Sequence, residues 1–282
     1  MLRGTFNRLC LRAMEARTIR PSMRQMESSA VVFSPHYDDE TLGVGGTIIK
    51  KRRCGATVYL VFMTDGSRSH AHAMDGNRLA ALRRDEALHA AKVLGIDETQ
   101  VIFLEYPETK LQQHTAEAIQ RISGILSDLQ CQQVFVPSTL EPVLWSEDHK
   151  STTDIVFRAL ISNKEQPEIL EYGVWFWYHW PWIPILCSKD TRQLLNLSWK
   201  ARFGLSVYKH VNTAINVGDV LSEKRNALEK HKSQMMRLVE DRPWPVLGDV
   251  GRGEFLKLFF RSNEFFHSYQ FSEQHHRFTF QA

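Results

Sequence analysis

Cysteine is scarce in this chain and widely scattered: Cys10, Cys54, Cys131 and Cys187 are the only four in 282 residues, and no two form a CxxC pair. That spacing suggests neither a disulfide framework nor a thiolate zinc site, and it fits reduced thiols in a cytoplasm. Basic charge is also short once its position is considered. The net charge is +3, but residues 1–30 hold six arginines (Arg3, Arg8, Arg12, Arg17, Arg20, Arg24) against Glu15 and Glu27, so that segment is +4 and residues 31–282 sum to −1. The electrostatic footprint of a nucleic-acid binder is missing. So are long apolar runs: Gly173 to Cys187, GVWFWYHWPWIPILC, is shorter than a membrane span and is broken by Pro181 and Pro184. Any lipid substrate would therefore be met at a surface. Internal repeats, low-complexity tracts and linker-like stretches are absent as well.

The arginine-rich start lacks the apolar core of a secretory signal. Residues 1–28 read as a disordered N-terminal segment, with an organellar presequence, or a start at Met14, Met23 or Met26, as alternatives. Residues 29–282 read as one domain. From residue 30 short β-branched or aromatic runs alternate with amphipathic ones. Strands are expected over Ala30–Phe33, Thr57–Met63, Gln100–Leu104 and Gln133–Val136, and helices over Thr41–Arg53, Gly76–Leu94 and Thr115–Leu129. Further strands are expected near Ile169–Trp177 and His210–Val217, then a long helix from Val220 to about Val239 capped by Asp219, and a helical, aromatic tail after Gly251. Repeated strand-helix-strand units predict an α/β fold, Rossmann-like and three-layered, with a mostly parallel sheet and its site at the carboxyl ends of the strands.

The first strand runs into Ser34-Pro35-His36-Tyr37-Asp38-Asp39-Glu40, at the edge where open α/β sheets bind ligands. A histidine and an aspartate three apart can reach one divalent metal, and a neighbouring carboxylate left off the metal is free to act as a base. The plain alternative is an Asp-capped helix start. Thr64-Asp65-Gly66-Ser67-Arg68 ends a second strand, and Trp145-Ser146-Glu147-Asp148-His149 follows the fourth. Sheet topology brings such loops together. His149 is thus a candidate third ligand beside His36 and Asp39, and Asp148 a candidate to orient a histidine.

Taken together, these segments resemble the PIG-L/LmbE family of zinc-dependent N-acetylglucosamine deacetylases. Pro35 to Gly46, PHYDDETLGVGG, is similar to the family's HPDDE motif and glycine-rich turn. The likeness continues through Thr64 to Ser67, Arg83-x-x-Glu86 with Ala90 and Leu94-Gly95, Asp148-His149, and KxxALxxHxSQ at Lys224 to Gln234, covering about residues 30–240. The resemblance implies one zinc ion held by His36, Asp39 and His149, with iron(II) or cobalt(II) as substitutes. It implies Asp38 as the general base that takes a proton from the attacking water, and an N-acetylated amino sugar or glycoconjugate as substrate. Tyr37 stands where the family has proline, and Ser146 where it often has a histidine. Either Asp38 serves as both base and acid, or His70, His179 or Glu147 supplies the donor.

Other positions keep two readings. Arg68 and Arg83 could hold a polar group of the substrate, or Arg83 could pair with Asp85 or Glu86 on its helix. Gln234 and His231 belong either beside the site or on a solvated face. The aromatic run Trp175, Phe176, Trp177, Tyr178, Trp180 and Trp182 suits a core with an oligomer contact, or a platform for sugar rings or an apolar aglycone. His267, His275 and His276 read as tail features. A metal-dependent amidase or esterase on a non-sugar substrate, and a non-catalytic sugar binder, are the competing functions.

Overall fold

The computed structural model describes residues 2–144, 146–185, 191–205 and 207–272; Trp145, Cys187, His275 and His276 lie outside them. The strands are β1 (Ala30–Ser34), β2 (Val58–Thr64), β3 (Val101–Tyr106), β4 (Gln133–Pro137), β5 (Glu168–Tyr172), β6 (Thr213–Asn216) and β7 (Asn263–Gln270). They form one seven-stranded sheet in the order β3-β2-β1-β4-β5-β7-β6. Pairing is parallel from β3 to β5, and β7 runs antiparallel to both of its neighbours. The fold is thus α/β with a mostly parallel sheet. The helices are α1 (Leu2–Arg17), α2 (Met23–Glu27), α3 (Asp39–Arg53), α4 (Gly76–Val93), α5 (Thr115–Leu129), α6 (Asp148–Asn163), α7 (Thr191–Lys200), α8 (Val207–His210), α9 (Leu221–Leu228), α10 (Lys232–Met235) and α11 (Glu254–Lys257).

Strand alternation divides the core into two layers. Ala30 and Val32 pack with α3, α4 and α9 on one face, while Val31 and Phe33 pack with α5 and α6 on the other. Every residue of β1 and β4 is buried, as expected for parallel strands covered on both faces. The small residues of α3 permit close approach. A Cβ on Gly43 would lie 2.3 Å from Tyr172 Cδ2, and one on Gly46 would lie 2.6 Å from Val217 Cβ. In the middle of α3, Glu264 accepts from Gly46 N (2.8 Å) and Thr47 N (2.7 Å), while Lys224 Nζ donates to Glu264 (2.7 Å) and to Leu42 O (2.8 Å).

Four expectations are corrected. Residues 2–17 are not a disordered tail but a helix that buries Cys10 and Met14 in the main core and anchors Arg3 to Trp182 O (3.0 Å) and Glu254 (2.8 Å). The long helix stops at Leu228, because the chain turns at His231 to place it on Glu40 and Ser233 on Glu86. Asp219 does not cap that helix; it sits in a short 3-10 turn, bonded to Lys50. The tail after Gly251 is helical only over Glu254–Lys257 and a 3-10 turn at Leu258–Phe260; Asn263–Gln270 then form β7, which carries Phe265 and Phe266 into the core.

Candidate functional site

Strand order reverses between β1 and β4: the chain leaves β1 toward β2 and β3, and later resumes at β4 on the other side. Loops diverge there and leave a crevice at the carboxyl edge. The loop after β1 delivers His36, Asp38 and Asp39, and the loop after β4 leads to Asp148 and His149 at the start of α6.

His36, Asp39 and His149 bring one ligand atom each to within 4.8 Å of the others. Asp39 Oδ2 lies 3.1 Å from His36 Nδ1 and 3.2 Å from His149 Nε2. Two ligand atoms on a tetrahedral zinc are roughly 3.3 Å apart, so the spacing about Asp39 suits a shared ion. Both ring nitrogens of buried His149 lack a hydrogen-bond partner; its Nε2 meets Asp39 off the hydrogen-bonding direction. An orphaned buried imidazole aimed at a carboxylate is a donor available for a metal. Burial disfavours charge on both histidines, but Asp39 and, for His36, the hydrogen bond to Asp148 outweigh it and raise them above the usual range. A divalent cation would replace those protons. His36 Nε2 contacts Asp148 Oδ2 at 3.2 Å, and Asp148 is itself fixed by Thr109 N (2.7 Å) and Leu111 N (3.3 Å).

Asp38 stands apart from the three-residue cluster. Its backbone has φ 117°, a strained conformation for a residue with a side chain. Its neighbours hold it there: Asp38 N donates to Glu40 Oε2 (3.0 Å), Arg83 Nη2 donates to Tyr37 O (2.8 Å), and Arg83 Nη1 to Gly66 O (3.2 Å). Tyr37 anchors the loop by packing, its buried ring edge-on to Phe62 at 5.0 Å, where a proline would act by fixing φ. Burial and then the Asp39 charge push the Asp38 carboxyl up to about 7, against the pull of Arg83 and His231. Arg83 therefore sustains the site but pairs with neither Asp85 nor Glu86; it lies 3.9 Å from Asp38 and 3.7 Å from Glu108.

These groups line a cleft of about 660 Å³. Arg68 is exposed on it, its backbone N donating to Glu108 at 2.6 Å. Ser146 lines it too, its Oγ accepting from Asp148 N at 3.4 Å, and so does Gln234, which donates to Ser69 Oγ at 3.3 Å. Of the aromatic run, Trp175 and Tyr178 line the cleft, whereas Trp177 and Trp182 are core. His70 reaches the cleft with Nε2 on Pro245 O at 2.7 Å, while His179, lowered to about 4 by burial, and Glu147 are not among the lining residues. His267 belongs to β7, 3.8 Å from Glu171.

Sequence reasoning missed Glu141. Buried, and pushed up to about 7 by that burial, its carboxylate accepts from Val174 N (2.5 Å) and Trp175 N (2.8 Å) and lies 3.8 Å from His149 Nδ1. Nothing local signals it, because a loop glutamate acquires such a role only when the fold closes.

Residues 31–160 match the profile of the PIG-L family, described as GlcNAc-PI de-N-acetylase. That stretch is a PIG-L-family domain. It contains His36, Asp38, Asp39, Asp148 and His149. Over 119 residues the chain is 30% identical to diacetylchitobiose deacetylase of Thermococcus kodakarensis, a match spanning 42% of this chain and 43% of that relative. The chain thus matches less than half the length of this curated relative. The fold resembles N,N'-diacetylchitobiose deacetylase from Pyrococcus horikoshii, with TM-score 0.63 and 21% identity over 95% of this chain and 93% of that one. It also resembles GalB, the 4-carboxy-2-hydroxymuconate hydratase of Pseudomonas putida, with TM-score 0.53 and 17% identity over 86% and 95% of the two chains. A deacetylase and a hydratase both resemble this fold, so the reaction must be argued from the site.

Proposed function

We propose that this protein is a metal-dependent de-N-acetylase acting on an N-acetylglucosamine-type sugar or glycoconjugate. One observation carries the reading: Asp38, left out of the His36, Asp39 and His149 cluster, lines the same cleft beside it. Zinc is the metal we infer, and iron(II) or cobalt(II) suits the same donors. When bound, the ion would polarise the acetyl carbonyl and acidify water.

The chain's own groups do the rest. Asp38 takes a proton from the attacking water as the new C–O bond forms, and returns it to the amine nitrogen as the C–N bond breaks. The Ser146 hydroxyl is too weak an acid to protonate a departing amine, and the His70 ring is bonded to Pro245 O, so Asp38 acts in both directions. Asp148 fixes the ring of His36, and Glu141 stands behind His149. The Arg68 guanidinium, exposed at the rim, suits a hydroxyl, phosphate or carboxylate of the substrate. Trp175 and Tyr178 add aromatic surface to the cleft wall, which suits the C–H surface of a pyranose or an apolar aglycone. Among the described residues no helix is long and apolar enough to cross a membrane, and Cys10, Cys54 and Cys131 are free thiols, which suits a reducing compartment such as the cytoplasm.

The test is amine release from a panel of N-acetylglucosaminides by metal-stripped protein, with and without one equivalent of zinc. Release restored by zinc is expected. Stoichiometric zinc uptake without release from any sugar would transfer the reading to another amide or ester, or to a sugar-binding protein. A second expectation concerns Asp148. Asp148→Asn should weaken metal binding about 10- to 100-fold, measured by competition with a chromophoric chelator, because His36 loses the carboxylate that orients it.

A further inference from the structure

The exposed surface formed by α1 and α7 is apolar, aromatic and cationic at once. Phe6 of α1 stacks on Trp180 at 5.0 Å, Trp180 meets Phe203 at 5.9 Å, and Phe203 meets Trp199 of α7 at 6.1 Å. The backbone joins the same pieces: Trp180 N donates to Ser198 Oγ at 2.9 Å, and Arg3 Nη1 to Trp182 O at 3.0 Å. Leu9 of α1, Leu195 of α7 and Leu205 are exposed as well, and Trp199 is 74% exposed. A tryptophan presented to water in line with three other aromatic rings is not accounted for by the core, nor does it line the cleft.

Charge identifies the occupant. α1 and residues 191–205 contain Arg3, Arg8, Arg12, Arg192, Lys200 and Arg202, while Glu15 and Arg17 offset each other at the end of α1. Arg3 is tied to Glu254; the other five are exposed. A second copy of the chain would set like charges against each other. An anionic bilayer surface fits instead, because tryptophan favours the headgroup level and each Arg or Lys near such a surface contributes about 1 kcal/mol.

We propose that the α1–α7 patch docks the protein onto anionic membrane surfaces, with Phe6, Leu9 and Trp199 entering the headgroup region and Arg8, Arg12 and Arg202 facing lipid phosphates and carboxylates. Trp175, Tyr178 and Gln193 line the cleft, so the polypeptide that carries the patch also forms a cleft wall. Docking would hold that wall close to the lipid. The inference does not depend on the reaction, and its test needs no substrate.

Sedimentation of the full chain with phosphatidylcholine vesicles, with and without phosphatidylserine, reads the docking directly. Binding should require phosphatidylserine and decline with salt. Arg8→Gln with Arg12→Gln should weaken it about fivefold per charge, and Trp199→Ala about tenfold, while monomer stability and hydrolysis of a soluble substrate remain unchanged. Absence of binding to phosphatidylserine vesicles would overturn the proposal. So would binding that survives both variants, or a dimer in free solution that Trp199→Asp dissociates.

Discussion

Asp38→Asn should fold, take up its metal and lose between about 10²- and 10⁴-fold in kcat, the range a positioned acid-base group contributes. The substitution suits the test because the adjacent carboxylates are separated in position. Asp39 lies 3.1 Å and 3.2 Å from the two histidines, whereas Asp38 contacts neither and looks into the cleft from a backbone with φ 117°. Asparagine tolerates positive φ better than most residues, so the loop keeps its course, and the amide cannot accept a proton. KM should change little, because the loss falls on a proton transfer and not on binding. Near-normal turnover in a variant shown to hold its metal would refute the role of Asp38 and leave the cluster intact.

Lys224→Met is expected to produce the largest loss of stability. Lys224 and Glu264 are 1% and 6% exposed, and they meet at 2.7 Å against the middle of α3. Removing one partner of a buried pair costs roughly 3–5 kcal/mol because the other charge is left uncompensated. Here Leu42 O also loses its donor from Lys224. Urea unfolding reads the effect, and adding Glu264→Gln should recover part of it, since the charge is removed and the amide oxygen still accepts from one of the two α3 N–H groups. A loss below about 1 kcal/mol would show that the pair behaves like an exposed one. The pair also bears on the site, as α3 begins at Asp39.

Much of the candidate site's geometry was legible because it is local or follows from topology. His36, Asp38 and Asp39 lie on one short loop after an unmistakable strand, and His149 follows from the rule that parallel strands open their loops on one edge. Asp148 beside it inherits the same placement. The legible elements, β1 to β4 and α3 to α5, are those whose hydrophobic period is clean. α1 was not legible, since arginines interrupt its apolar positions and only the buried Cys10 and Met14 define a face. The end of α9 carried no signal either, because no Gly or Pro stands between Leu228 and Lys232; contacts of His231 with Glu40 and of Ser233 with Glu86 override helix propensity there. β7 was hidden by clustered phenylalanines that follow no period of two. Arg83 and Glu141 could not be assigned from spacing, because their partners come from distant strand ends.

His36 and His149 come from opposite halves of the sheet, on either side of the point where strand order reverses. An ion joining them would therefore act as a removable crosslink between the two wings of the fold. Binding to the native state alone stabilises by mass action, by about 2.7 kcal/mol when free metal is a hundredfold above its dissociation constant. Thermal melting in the presence of zinc, iron(II) or cobalt(II) should therefore rank the metals by affinity before any substrate has been identified, and a chelator should reverse each gain.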